Sequence, residues 1–372
     1  MELSKEQQLA MFSQSDASRS VLRYIRSGNL LCEEAQVEML KLPNVEILVK
    51  EYIRRSFLCD KAQVKLFELP NPCELMVFYI VQTGCLCDEA ELKMFEHPNA
   101  EELFKAYIQR CALGEDAELK MFELSNAQEL VKIYIQKYSL CLEAEVKMFD
   151  LPNAQELVKY YIKKFTLGQD ALVKIFDMPN AGELVQDYIQ KYYLCKDAQM
   201  KMFDLPNAEE LVKKFIVMHE LEEDVQIKMF ELSNADELIK EYIQSCYFGD
   251  EAEVKMFELS NAKEIVKEYL KNWSLCERAQ MKMIEHPEAK EFIEEYIQKD
   301  FLCNEAEKRV LELSTAQELV KVYIQKNSLC KEAELEMIAL PNAEELVAVY
   351  IQRYGLCNEA EQIWNQMQKT GD

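Results

Sequence analysis

Residues 126–152 read NAQELVKIYIQKYSLCLEAEVKMFDLP. Counting Asn126 as position 0, positions 1, 4, 5, 8, 9 and 12 hold Ala127, Leu130, Val131, Tyr134, Ile135 and Tyr138. That spacing places six mainly apolar side chains on one helical stripe. It predicts a first helix, A, of about 13 residues. Asn126 is placed to cap it, and Glu129 three residues later suits a capping box. After Leu140-Cys141 a second amphipathic stretch runs from Leu142 to about Asp150 and predicts a helix B of about 10 residues. Its expected core residues are Ala144, Val146, Met148 and Phe149. Glu143 and Lys147 stand four apart in the favourable order on a helix surface. Pro152 stops the chain from running on into the next helix.

The same unit recurs in both directions. Its zero position falls at Asn44, Asn71, Asn99, Asn126, Asn153, Asn180, Asn207, Asn234, Asn261, Glu288, Thr315 and Asn342, with a degenerate copy at Asp16. The steps from Asn44 onward are 27 residues, with one of 28 between Asn71 and Asn99. Two short helices joined by tight turns cannot bury both faces alone, so copies must stack. The expectation is an all-α protein. It is an α-solenoid of about thirteen 27-residue two-helix repeats in one continuous array over residues 16–357. A capping helix at 1–15 would open on the capping box Ser4-Lys5-Glu6-Gln7. Another at 358–372 would be marked by Gln362 and Asn365, where other copies carry an aliphatic residue and Phe. In architecture the array resembles tetratricopeptide-type and HEAT-type solenoids, although its period is shorter than either.

The composition agrees. The 372 residues include only 8 Gly and 9 Pro, too few for a turn-rich β protein. With 67 acidic and 43 basic residues the formal charge is -24, which disfavours nucleic-acid phosphate and anionic membranes as partners. No signal peptide and no membrane-spanning stretch is read, so a cytoplasmic protein is expected. Export without a signal would leave the same sequence. Of 13 Cys, most fall at position 15, where Gly114, Gly168 and Gly249 alternate with them. Small thiols in a tight inter-helix corner explain this better than disulfides, because stacked layers would hold them beyond bridging reach. Cys85 and Cys87 are the only close pair in sequence and make a weak metal motif. No cofactor and no metal is expected.

No phosphate-loop, dinucleotide or His-Glu-x-x-His motif is present. His97 and His286 replace a turn Leu, and His219 stands in a column otherwise holding Tyr138, Phe165, Tyr192 and Trp273. The Met-Phe pairs are core, and the lysines at positions 6 and 21 have acidic neighbours that make them a solvated, salt-bridged face. The repetition of the carboxylates argues against a differentiated acid–base pair, so no catalytic residue is expected. Position 7 varies most while the scaffold repeats. It carries Phe78, Ala106, Ile133 and Tyr160, then Asp187 and Lys214, then Glu241, Glu268 and Glu295. These residues are candidates for partner binding, the apolar ones as an exposed strip and the acidic ones as another. Neutral variation, or burial against the next helix A, would leave the same pattern. The expected function is a non-enzymatic, monomeric scaffold binding a protein or peptide, with a basic partner suited to the acidic surface. The alternatives are a self-assembling structural protein and, less favoured, a nucleic-acid-binding repeat.

Overall fold

A computed structural model describes residues 3–341 and 343–370. Each unit forms the two expected helices. In the unit at Asn126 they are Ala127–Tyr134 and Leu142–Met148, 8 and 7 residues, shorter than the expected spans. Ala127, Leu130, Val131, Tyr134 and Ile135 are buried. Among the described residues there are 27 α-helices, two short 3-10 segments and no strand. The all-α, repeat-built class is therefore as the periodicity dictates.

Two compact units divide the chain between Asn180 and Ala181. Within each, helix A packs on helix A of the next repeat, as Cys73–Thr83 does on Ala100–Tyr107. Helix B packs on helix B, as Asp88–Glu96 does on Glu115–Met121. The core lies between these two rows and is lined by Leu, Val, Tyr and Ile of A with Ala and Met of B. The units at Asp16 and Asn71 hold one residue more than the others. Gly28 and Gly84 absorb it at φ values of 86° and 89°, in the left-handed region where a Cβ is unfavourable.

The N-terminal capping box forms, with Ser4 and Gln7 each satisfying the other's backbone N–H. At the other end Gln362 and Asn365 are exposed on the helix Asn358–Thr370. The capping box expected at Asn126 does not form. Asn126 lies at φ -106°, ψ 23°, and its side chain makes no cap hydrogen bond. A capping side chain needs the extended backbone at the N-cap to reach forward. Here the turn is already coiled, and Glu129 and Leu130 donate to the Asn126 carbonyl instead. The glutamate at position 3 is thus free for another task. Glu156 takes the Nζ of Lys132 from the preceding repeat at 2.6 Å, and Glu264 takes Lys240 at 3.0 Å. Several of the lysines expected to pair along their own helix therefore pair between repeats.

Candidate interaction surface

The largest departure from the expected pattern is in helix B. Glu145, which the expected helix B core did not include, is buried, while Val146 and Phe149, which it did, are only half-buried. The equivalent residue is Gln8, Gln36, Gln63, Glu91, Glu118, Gln199, Gln226, Glu253, Gln280, Glu307 and Glu334 in other copies, all buried. Only Leu172 breaks this polar run among the buried copies. Each of these polar groups reaches into the next repeat. Glu118 accepts the hydroxyl of Tyr134 at 2.8 Å and the backbone N–H of Cys141 at 2.6 Å. Where the residue is Gln, its amide oxygen takes the same backbone N–H, and in the Gln226 and Gln280 copies its NH2 donates to the tyrosine hydroxyl. Gln226 accepts from the Gly249 N–H at 2.8 Å, while its amide donates to the Tyr242 hydroxyl at 3.1 Å. Burial raises the carboxyl pKa of Glu91, Glu118, Glu145 and Glu253 above the ordinary range, against the lowering effect of these hydrogen bonds. The tyrosine hydroxyls opposite are pushed up as well, first by burial and then by the carboxylate.

The position-15 residue is therefore fixed by its backbone. Its N–H feeds the buried Glu or Gln, and the thiol, half-buried rather than fully buried, turns outward to the preceding repeat. Cys59 Sγ, for instance, donates to the Glu33 carbonyl at 3.8 Å. All thirteen cysteines are free thiols. Burial carries the Cys276 thiol up to about 12 and that of Cys330 to about 11. The neighbour that Cys85 feels is Cys111 of the next repeat. Position 12 makes a third inter-repeat link. Tyr138, His219 and Trp273 reach the carbonyls of Ile108, Ile189 and Ile243 at 3.1, 3.1 and 2.8 Å. His219 thus does what the tyrosine and tryptophan do in other copies. His97 and His286 accept the backbone N–H two residues on, closing their turns.

The position-7 candidates do not form exposed strips. Phe78, Ala106, Ile133, Tyr160, Asp187, Lys214, Glu241, Glu268 and Glu295 are all half-buried. Helical angle places them beside the core stripe, where the adjacent A row covers part of each. Lys50 lies over the Phe78 ring at 5.6 Å and Lys164 over that of Tyr160 at 5.3 Å. Lys214 pairs with Glu210, Glu268 with Lys271, and Glu295 with Lys267. Glu268 and Glu295 line shallow, lysine-rich grooves between neighbouring A helices.

The exposed aromatic residues stand six positions further on, in the A–B turn. Tyr193, Tyr247 and Phe301 recur every second repeat and are 45, 60 and 67% exposed. Phe57 occupies the same place in the first compact unit. The turn holds them outward because the next residue, such as Leu194 or Phe248, takes the buried place. Grooves lie beside them. One of about 430 Å³ runs between Tyr193 and Tyr247, and one of about 730 Å³ lies against Phe301 and Tyr354. On the opposite edge, the B–A turns around Pro43, Pro70 and Pro98 enclose about 1080 Å³.

Among the described residues no group of three or more His, Cys, Asp or Glu is placed to hold a metal ion. Nor is any helix there long and apolar enough to cross a membrane. No protein-family model matches this chain, and no curated protein is significantly similar to it.

Proposed function

We propose that this chain is a non-enzymatic helical-repeat scaffold that binds another protein or a peptide along its surface. The observation that carries the reading is the row of aromatic side chains at equivalent turns, each leaving about half of its surface or more in water. A soluble chain rarely keeps large rings in water without a use for them, and aromatic anchors dominate binding energy at interfaces. The polar machinery, by contrast, is spent on joining repeat to repeat. The buried Glu and Gln accept backbone N–H groups of the next repeat, many of them a tyrosine hydroxyl as well, and lysines such as Lys132 pair with carboxylates of the neighbouring repeat. The acidic surplus favours a basic partner and opposes self-association.

The test is capture of partners from lysate on the immobilised protein at physiological salt, each recovered protein then being purified and titrated by calorimetry. A direct binder with a dissociation constant in the micromolar range or tighter is expected. Recovery of no protein that binds directly would refute the reading. Light scattering that shows particle size growing with concentration would replace it with self-assembly.

A further inference from the structure

The groove between Tyr193 and Tyr247 combines aromatic walls with charged groups that are all acidic, whereas the aromatic groove at Phe301 also holds Lys326. No lysine, arginine or histidine lines it. Both rings are braced. Tyr193 packs against Phe215 and, edge-on, against His219, with centroids at 5.9 and 5.8 Å, and Tyr247 packs against Trp273 at 6.0 Å. The Tyr193 hydroxyl donates to Glu222 at 2.9 Å, which fixes that ring further. Four exposed carboxylates, Glu220, Glu222, Glu223 and Asp250, lie along the groove. None of them belongs to an ion pair among the described residues, although Lys196 nearby pairs with Asp224. Glu223 and Asp250 also serve the first turns of their B helices. Glu220, in the turn, has no helix end to serve.

We propose that this groove receives an extended, arginine-rich segment of a partner protein. Guanidinium groups stack on the two tyrosine rings and pair with the carboxylates between them. Arginine suits both contacts, because its planar fork stacks on an aromatic face and meets a carboxylate in bidentate fashion. The rings stand two repeats apart, on the order of 20 Å at a layer spacing of 8–10 Å. About six extended residues span that distance.

This proposal rests on the scaffold reading above. The probe is a fluorescein-labelled heptapeptide, Arg-Gly-Ser-Arg-Gly-Ser-Arg, followed by fluorescence anisotropy in about 150 mM salt. Wild-type protein is expected to bind it. Tyr193→Ala with Tyr247→Ala should weaken binding about tenfold, since two exposed cation–π contacts are lost. Tyr193→Phe with Tyr247→Phe should retain most of it. Glu220→Gln with Asp250→Asn should weaken binding and flatten its dependence on salt. Circular dichroism melts establish that each variant is folded. Absence of peptide binding to wild type, or binding that ignores the loss of both rings, overturns the proposal. If captured proteins bind directly but independently of Tyr193 and Tyr247, this groove is refuted and the scaffold reading stands. If no captured protein binds directly, both fall.

Discussion

Glu118, Glu145 and Glu253 show how a charged residue type can belong to the interior. Each accepts one tyrosine hydroxyl and one backbone N–H from the following repeat. Removing the hydroxyl in Tyr134→Phe leaves Glu118 Oε1 and the Leu113 N–H without that partner. The expected cost is about 1–3 kcal/mol in urea unfolding; an unchanged midpoint would show that the link is idle. The amide found at this place in other copies predicts the reverse for Glu253→Gln. Burial raises the carboxyl pKa in the folded state above its unfolded value. The contribution to stability is then complete below the unfolded pKa and is lost as pH rises through the folded pKa. Glu253→Gln should therefore raise the melting temperature at pH 7–8, and its advantage should shrink as pH falls toward 4. A variant that melts lower than wild type at neutral pH would contradict this.

At the scale of the element, the two helices of a repeat differ in how they are held. Helix A has a plain amphipathic pattern, and its Leu, Val, Tyr and Ile column is buried as the spacing predicts. Helix B is only seven residues long in most copies. It is too short to be stable alone and is held by its neighbours. Its links to them are the buried Glu or Gln and, through the turn before it, the position-12 side chain. His219→Tyr should keep the bond to the Ile189 carbonyl and leave the melting temperature close to wild type. His219→Ala should lose about 1–2 kcal/mol. Equal melting of the two variants would show that the ring's hydrogen bond contributes nothing. The lysine–glutamate pairs between A helices are exposed and are worth little singly. Lys240→Ala should change stability by less than about 1 kcal/mol.

At the scale of the molecule, the charge of -24 is spread over the repeats rather than gathered in a tail. Salt acts on this in two ways. It screens the mutual repulsion of the carboxylates, which stabilises, and it weakens the surface ion pairs, which destabilises. The surplus is large and exposed pairs are weak, so repulsion dominates. The melting temperature should rise by several degrees between about 20 and 300 mM sodium chloride. A fall would show that the ion pairs outweigh the repulsion.

The repeat, the two helices in each copy and the buried stripe of helix A were legible because periodic apolar spacing reports burial directly. Helix B was legible only in part. Glu145 looks like surface to any rule based on polarity, since its partners Tyr161 and Gly168 lie 16 and 23 residues ahead. A signal was available: the column admits Glu, Gln and one Leu, and no Lys or Asp. A solvated position would not be so selective. The candidate site was less legible still. Position 7 varies as a binding column would, but its angle puts it half under the neighbouring helix. The turn aromatics carry no sequence signal of exposure, because a turn residue's direction depends on the whole corner. Sequence alone determined the all-α class, the 27-residue unit and the placing of its turns, because local spacing and chain stiffness suffice for these. Tertiary structure decided which polar groups are interior and which aromatic rings face water. Those outcomes depend on the next repeat, whose groups complete each hydrogen bond and cover each surface.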